Sequence, residues 1–374
     1  MNGKKGDAGS RPFYLALCGC VALAVAMGIG RFAFTPILPM MQDDAGLSIA
    51  DGGWLASANY AGYLLGALSA IRLPLSPVAA IRVGLVVISA STLAMGMHHG
   101  FAYWCALRAA AGLASAWVLV FVSAWALGKR AQGGTLYAGV GAGIATAGAV
   151  CLALMAVHAS SSDAWITLGA TSFVMTVLLW RIFNSGPSPA SGLVHERPGS
   201  RHWLLILCYG AFGFGYIVPA TFLPAMAKEV ISDPVLFGWT WPVFGAAAAV
   251  STFFAGRFPN QRIVWMVATL LMALGVVLPL MIPGLSGILI AAVLVGGTFM
   301  VITMAGMQEA RRVAAEHARP LMAAMTSAFA FGQIAGPLWV GYKSSVAQAS
   351  LAAATVLMLS AAALFRYRVR TRMI

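Results

Sequence analysis

Along this chain, long apolar stretches alternate with short polar gaps. The stretches fall at about residues 13 to 41, 51 to 71, 78 to 97, 101 to 127, 136 to 157, 164 to 183, 203 to 228, 235 to 256, 263 to 282, 285 to 308, 320 to 342 and 347 to 367. Crossing a bilayer as a helix takes about 20 predominantly apolar residues. The pattern therefore predicts an all-α integral membrane protein of twelve transmembrane helices. Most gaps are too short to hold a soluble domain, and the longest, "NSGPSPASGLVHERPGSR" at 184–201, is rich in Pro, Gly and Ser, the composition of a linker. It divides residues 1–183, six helices, from residues 202–374, another six.

Composition agrees with this reading. Hydrophobic residues make up 60% of the 374 and charged residues 9%, with a mean hydropathy of +0.86, whereas a soluble domain has about a quarter of its residues charged. The net charge of +13 would suggest nucleic acid in a soluble chain, but here the basic residues sit between apolar stretches. Nineteen Lys and Arg lie in the tails and the even-numbered gaps, against Lys228 and Lys343 on the other side. The positive-inside rule then puts both termini in the cytoplasm. The basic and apolar start resembles a signal peptide, yet the apolar run continues too far, so it reads as an uncleaved first helix. All five cysteines fall within apolar stretches without metal or disulfide spacing.

The halves repeat. "GIGRFAFTPILP" at 28 returns as "GFGYIVPATFLP" at 213, an offset of 185 residues that also pairs Gly53 and Trp54 with Gly238 and Trp239, Arg72 with Arg257, and Gly112 with Gly297. Parallel repeats of this kind build one class of secondary transporter. They predict two six-helix bundles around a central cavity open to alternate sides.

Two arginines remain inside apolar stretches, Arg31 and Arg108, matched in the second half by Tyr216 and Val293. Arg31 lies ten residues before Met41 and Arg108 seven after Phe101, depths of about 15 and 10 Å at about 1.5 Å per residue. A lipid-facing arginine costs roughly 2.5 to 3.5 kcal/mol or more near the bilayer centre, so each is expected to face protein or a water-filled cavity. The ten Asp and Glu all lie in tails, gaps or helix ends. Cations without a protein counter-anion leave room for an external one, and the guanidinium fork suits a carboxylate. The competing use is hydrogen bonding to carbonyls freed by the nearby Gly and Pro, or across to the other half.

Weaker binding candidates surround them. Thr35 follows Arg31, and Asn59, Tyr60 and Tyr63 lie on the second helix, where Ala58, Gly62 and Gly66 form a small-residue packing ridge. In the second half Tyr216, Thr221, Trp239, Trp241 and Gln333 stand at plausible depth, and an aromatic wall opposite arginines would suit an aromatic or amphipathic acid. Asp51 reads as the N-cap of the second helix. No paired acids or His-rich cluster lies within the helices, so neither catalysis, a metal nor a cofactor is expected. The expected partners are a small, anionic substrate and the lipid bilayer, with no nucleic acid, and the protein is expected to be a monomer.

"GRFAFTPILPMM", "GLSIADGGWLASANYAGYLLGAL" and "RAAAGLASAWVLVFVSAWAL" together resemble the YbfB/YjiJ family of bacterial major facilitator transporters. The likeness runs on through "YAGVGAGIA" to "FGQIAGPLWVG". It implies a multi-pass permease of the bacterial cytoplasmic (inner) membrane, with Arg108 and Gly112 matching the arginine and spaced glycine of the superfamily's fourth helix. The second-to-third loop, "GALSAIRLPLSPVAAIR", keeps Gly66, Leu68 and Arg72 but lacks the aspartate usual there. Within the transporter class the rival cargo is a hydrophobic or cationic compound exported by the same fold.

Overall fold

The computed structural model describes residues 7–97, 100–183, 202–230, 239–341 and 346–367, and these contain helices and no strand. The helices are α1 (Asp7–Leu23), α2 (Phe34–Asp44), α3 (Ile49–Ala70), α4 (Pro77–Met95), α5 (Phe101–Gly128), α6 (Gly133–Ala156), α7 (Ser161–Trp180), α8 (Trp203–Val230), α9 (Thr240–Ala255), α10 (Gln261–Met281), α11 (Leu285–Ala314), α12 (Ala318–Gly341) and α13 (Val346–Arg366). Helix therefore falls on every apolar stretch, α1 and α2 sharing the first. Among the described residues eight segments are long and apolar enough to cross a membrane. The helix α3 is not among them, because it carries Asn59, Tyr60, Tyr63 and several Gly and Ser in place of aliphatic residues. The linker 184–201 lies outside the described residues.

The repeat is visible in the helix bounds. Helix α6 runs from Gly133 to Ala156, and α12 begins and ends 185 residues later, at Ala318 and Gly341. The first unit of each half differs, however. Residues expected to form one helix over 13 to 41 divide into α1, a wide π turn (Ala24–Ile29), a break at Gly30–Ala33, and α2. The π turn shows as five-residue hydrogen bonds, Gly30 N to Val25 O at 2.9 Å and Phe32 N to Met27 O at 3.1 Å. Glycines at 28 and 30 and Pro36 supply the weak propensity that lets the turn open.

Helices α1 to α7 pack mainly on one another, as do α8 to α13, and the halves meet along two seams, α3 with α12 and α6 with α9. The offset maps α3 onto α9 and α6 onto α12, so one seam is the repeat image of the other. In lipid no hydrophobic force drives helices together, and small residues at the contact let backbones approach and gain dispersion energy. A Cβ on Gly141 of α6 would lie 2.3 Å from Ala249 N of α9, and one on Gly112 of α5 would lie 2.1 Å from Asn59 O of α3. The α3–α5 contact carries the ridge of Gly62 and Gly66 and sets the two helices that hold the polar residues described next. The helix start at α3 is a capping box: Ser48 is the N-cap, and Asp51, expected there, sits at N3 and answers the Ser48 amide at 3.0 Å.

Candidate functional site

The break after the π turn leaves main-chain carbonyls without helical partners, because the Thr35 amide turns to Phe32 O at 3.3 Å. In a membrane such groups need internal donors. Helix α5 provides them from Arg108 and Ser115, which share one face. Arg108 donates through Nη1 to Gly30 O at 3.3 Å and through Nη2 to Arg31 O at 3.2 Å, and the single Ser115 hydroxyl lies 2.7 Å from Ala26 O and equally 2.7 Å from Ala111 O on its own helix. The Arg108 guanidinium also lies 4.7 Å over the Phe34 ring. Asn59 Nδ2 donates to the Arg108 carbonyl at 2.9 Å, which ties α3 to this stretch of α5. Arg108 thus serves the use the sequence held open for either arginine: it closes the broken backbone.

Arg31 is arranged differently. Its side chain is 3% exposed and points to the second half, where Nη2 donates to Gln333 Oε1 on α12. Its guanidinium lies 3.9 Å over the Tyr63 ring, with Phe32, Tyr60 and Phe329 at 5.5, 5.6 and 5.8 Å, distances at which ring faces attract a cation. Nitrogens Nε and Nη1 are buried without hydrogen-bond partners. Among the described residues one ion pair occurs, Arg312 with Glu309 at 2.6 Å near the end of α11, so no carboxylate reaches Arg31.

The second half answers with aromatic rings. Tyr216 stacks on Phe299 at 5.2 Å, Phe299 on Phe244 at 5.4 Å, and Phe244 on Trp241 at 5.2 Å. Phe329 links the rank to Tyr63 at 6.5 Å and Phe32 meets Phe299 at 5.9 Å. Of the residues expected at the site, Arg31, Arg108, Asn59, Tyr60, Tyr63, Tyr216, Trp241 and Gln333 thus belong to one connected cluster. Thr35 is half-buried in the first turn of α2, and Trp239 stands at the start of α9, 54% exposed. The Thr221 side chain lies outside the described residues. Sequence reasoning passed over Phe32, Phe299 and Phe329, which lack any mark separating them from lipid-facing phenylalanines, and Ser115, whose spacing of seven from Arg108 on one helix face was the available signal.

The repeat register also shifts at this point. Gly296, not Gly297, faces Phe244, as Gly112 faces Asn59, while a Cβ on Gly297 would find nothing nearer than Ser251 at 3.9 Å. The counterpart of Arg108 is therefore Ala292 rather than Val293, which is exposed, and the counterpart of Ser115 is Phe299.

Comparison with known proteins bears on the cluster's setting. No curated protein matched the chain. A family model described as "Uncharacterised MFS-type transporter YbfB" matches residues 23–366, from the end of α1 to the end of α13. Matched over most of its length, the chain belongs to this family of major facilitator transporters.

Proposed function

We propose that the protein is a secondary transporter that moves a small organic anion by alternating access. Twelve spans form two six-helix bundles, residues 1–183 and 202–374, joined by a cytoplasmic linker at 184–201. Both termini face the cytoplasm, and a monomer in the bacterial inner membrane suffices. The observation carrying this reading is Arg31: a buried, permanently charged guanidinium at the seam between halves, with two unpartnered nitrogens and no acid beside it. A buried charge left in that state is costly. An incoming carboxylate relieves the cost.

The geometry also couples binding to movement. A guanidinium grips a carboxylate in a fork through Nη1 and Nη2 or through Nε and Nη2. Nη2 belongs to both forks, and Nη2 is the atom held by Gln333 across the seam. Each fork uses one of the two Nη2 hydrogens, so an anion that takes the fork facing Gln333 displaces its amide and loosens a link between halves, while an anion in the other fork leaves that link in place. Arg108 holds the backbone that presents Arg31 and adds positive charge to the approach.

The test is thermal unfolding of the detergent-purified protein against a panel of organic acids, amines and neutral solutes. A ligand of the native state raises the melting temperature as its concentration passes Kd. Stabilisation by acids in the wild type, and by none of them in Arg31→Gln, is the expected result. Stabilisation by amines or neutral lipophiles alone would transfer the protein to efflux of hydrophobic or cationic compounds, the use the aromatic rank would serve without the arginine.

A further inference from the structure

The same cluster narrows the class of anion. We propose that the cargo is an aromatic monocarboxylate: a flat ring bearing one carboxylate and no ammonium group. This rests on the anion reading above.

The charge count comes first. Arg31 retains free Nε and Nη1, whereas Arg108 has both terminal nitrogens on the carbonyls of Gly30 and Arg31 and keeps Nε alone, which makes no two-point fork. One guanidinium is available. One carboxylate matches its fork, and a second would find only the single unpartnered N–H of Arg108 to receive it. An ammonium group fares no better. The acids of the chain lie in tails, gaps and helix ends, and Glu309, 1% exposed, spends both carboxylate oxygens on Arg312. A zwitterion would therefore carry an unpaired cation into the site.

The ring follows from what alternating access must part. Across the halves Tyr63 meets Phe329 edge to face at 71°, Phe32 meets Phe299 at 79°, and Arg31 faces Phe329. When the halves separate, these ring faces and edges lose their partners together. A flat aromatic ring restores the same contacts between opposite ends of its own quadrupole, while a saturated ring of equal size restores only area. Beyond Phe299 the stack reaches Trp241, whose buried Nε1 has no acceptor. It offers a neutral donor to a ring substituent.

Isothermal titration of the purified full-length protein tests this with benzoate, cyclohexanecarboxylate, terephthalate, phenylalanine and benzyl alcohol. Benzoate should bind about ten-fold tighter than cyclohexanecarboxylate, the effect of one or two aromatic contacts, and tighter than terephthalate, phenylalanine and benzyl alcohol, which keep the ring but not the single negative charge; Arg31→Gln should abolish its binding. In Phe299→Leu the preference for benzoate over cyclohexanecarboxylate should fall toward one. Should that variant fail to fold, the wild-type ratios decide alone. Arg31-dependent binding of cyclohexanecarboxylate, terephthalate or phenylalanine as tight as that of benzoate overturns the aromatic monocarboxylate and leaves the anion reading intact. Absence of Arg31-dependent binding by any acid, in this panel and in the wider one above, overturns both.

Discussion

The first unit of each half carries the same phrase, "GIGRFAFTPILP" and "GFGYIVPATFLP", yet one is broken and the other runs unbroken as α8, Trp203–Val230. The difference lies in the helix packed beside it. Opposite the break, α5 offers Arg108 and Ser115 as donors. At the matching places α11 offers Ala292 and Phe299, and Phe299 stacks on Tyr216, the repeat partner of Arg31. Where donors stand, the backbone can afford free carbonyls. Where a ring stands, it must satisfy itself as a helix. One duplicated scaffold thus gives a polar, broken face and an aromatic one, and the candidate site is the place where they meet.

Removing the donors should break the contrast with the largest effect. Arg108→Met would leave the Gly30 and Arg31 carbonyls buried and unpaired, at roughly 1–3 kcal/mol each, with part returned because a desolvated charge is also removed. We expect a net loss of about 3 kcal/mol, read as a lowered melting temperature in detergent. Arg108→Lys should recover less than half of it, since a single ammonium cannot span two carbonyls as the planar fork does. A melting temperature unchanged in Arg108→Met would mean that α1 and α2 do not depend on α5 for their break.

Glycine substitutions sharpen the comparison at smaller magnitude. Gly112→Ala places a methyl 2.1 Å from the Asn59 carbonyl, backbone that cannot swing away, whereas Gly297→Ala meets nothing closer than 3.9 Å. Overpacking of the first kind costs about 1–3 kcal/mol. The second should be neutral or gain up to about 1 kcal/mol from helix propensity. Thermal unfolding of the two variants side by side checks this. Equal destabilisation would show that the repeat register does not slip in α11.

Much of this was legible in the chain. Apolar length located the helices, and the offset of 185 residues exposed the repeat, though not its one-residue slip in α11. The burial of Arg31 and Arg108 followed from the cost of a charge in lipid. Their division of labour did not follow, since it depends on which nitrogens meet which carbonyls across 77 and 78 residues of chain and on Gln333, 302 residues from Arg31. Gly and Pro around Arg31 signalled a weak helix, but whether it opens is decided by Arg108 and Ser115 on another helix. The phenylalanines of the aromatic rank were hidden for a different reason. In a chain meant for lipid, hydrophobicity no longer distinguishes inside from outside, so Phe299 and an outward phenylalanine look alike.

The smallest expected effect tests the link between the two faces. If an anion and the Gln333 amide compete for Nη2 of Arg31, Gln333→Leu removes the competitor and should tighten binding of a ligand acid. Hydrogen bonds between helices in lipid are worth about 0.6 kcal/mol on average and up to about 1.7, so the gain should be about three-fold, with a ceiling of about eighteen-fold. The sign carries the argument. Were Gln333 to hold the substrate directly, the same variant would weaken binding, and the competition would be excluded whatever the magnitude. A purely structural role is separated by the second arm of the cycle: in an Arg31→Lys background, which keeps the charge but lacks Nη2, Gln333→Leu should change affinity by less than in the wild type. Titration of the four proteins with one stabilising acid measures all of these quantities. A non-zero coupling of the expected sign would place the link between halves on the same nitrogen that receives the cargo.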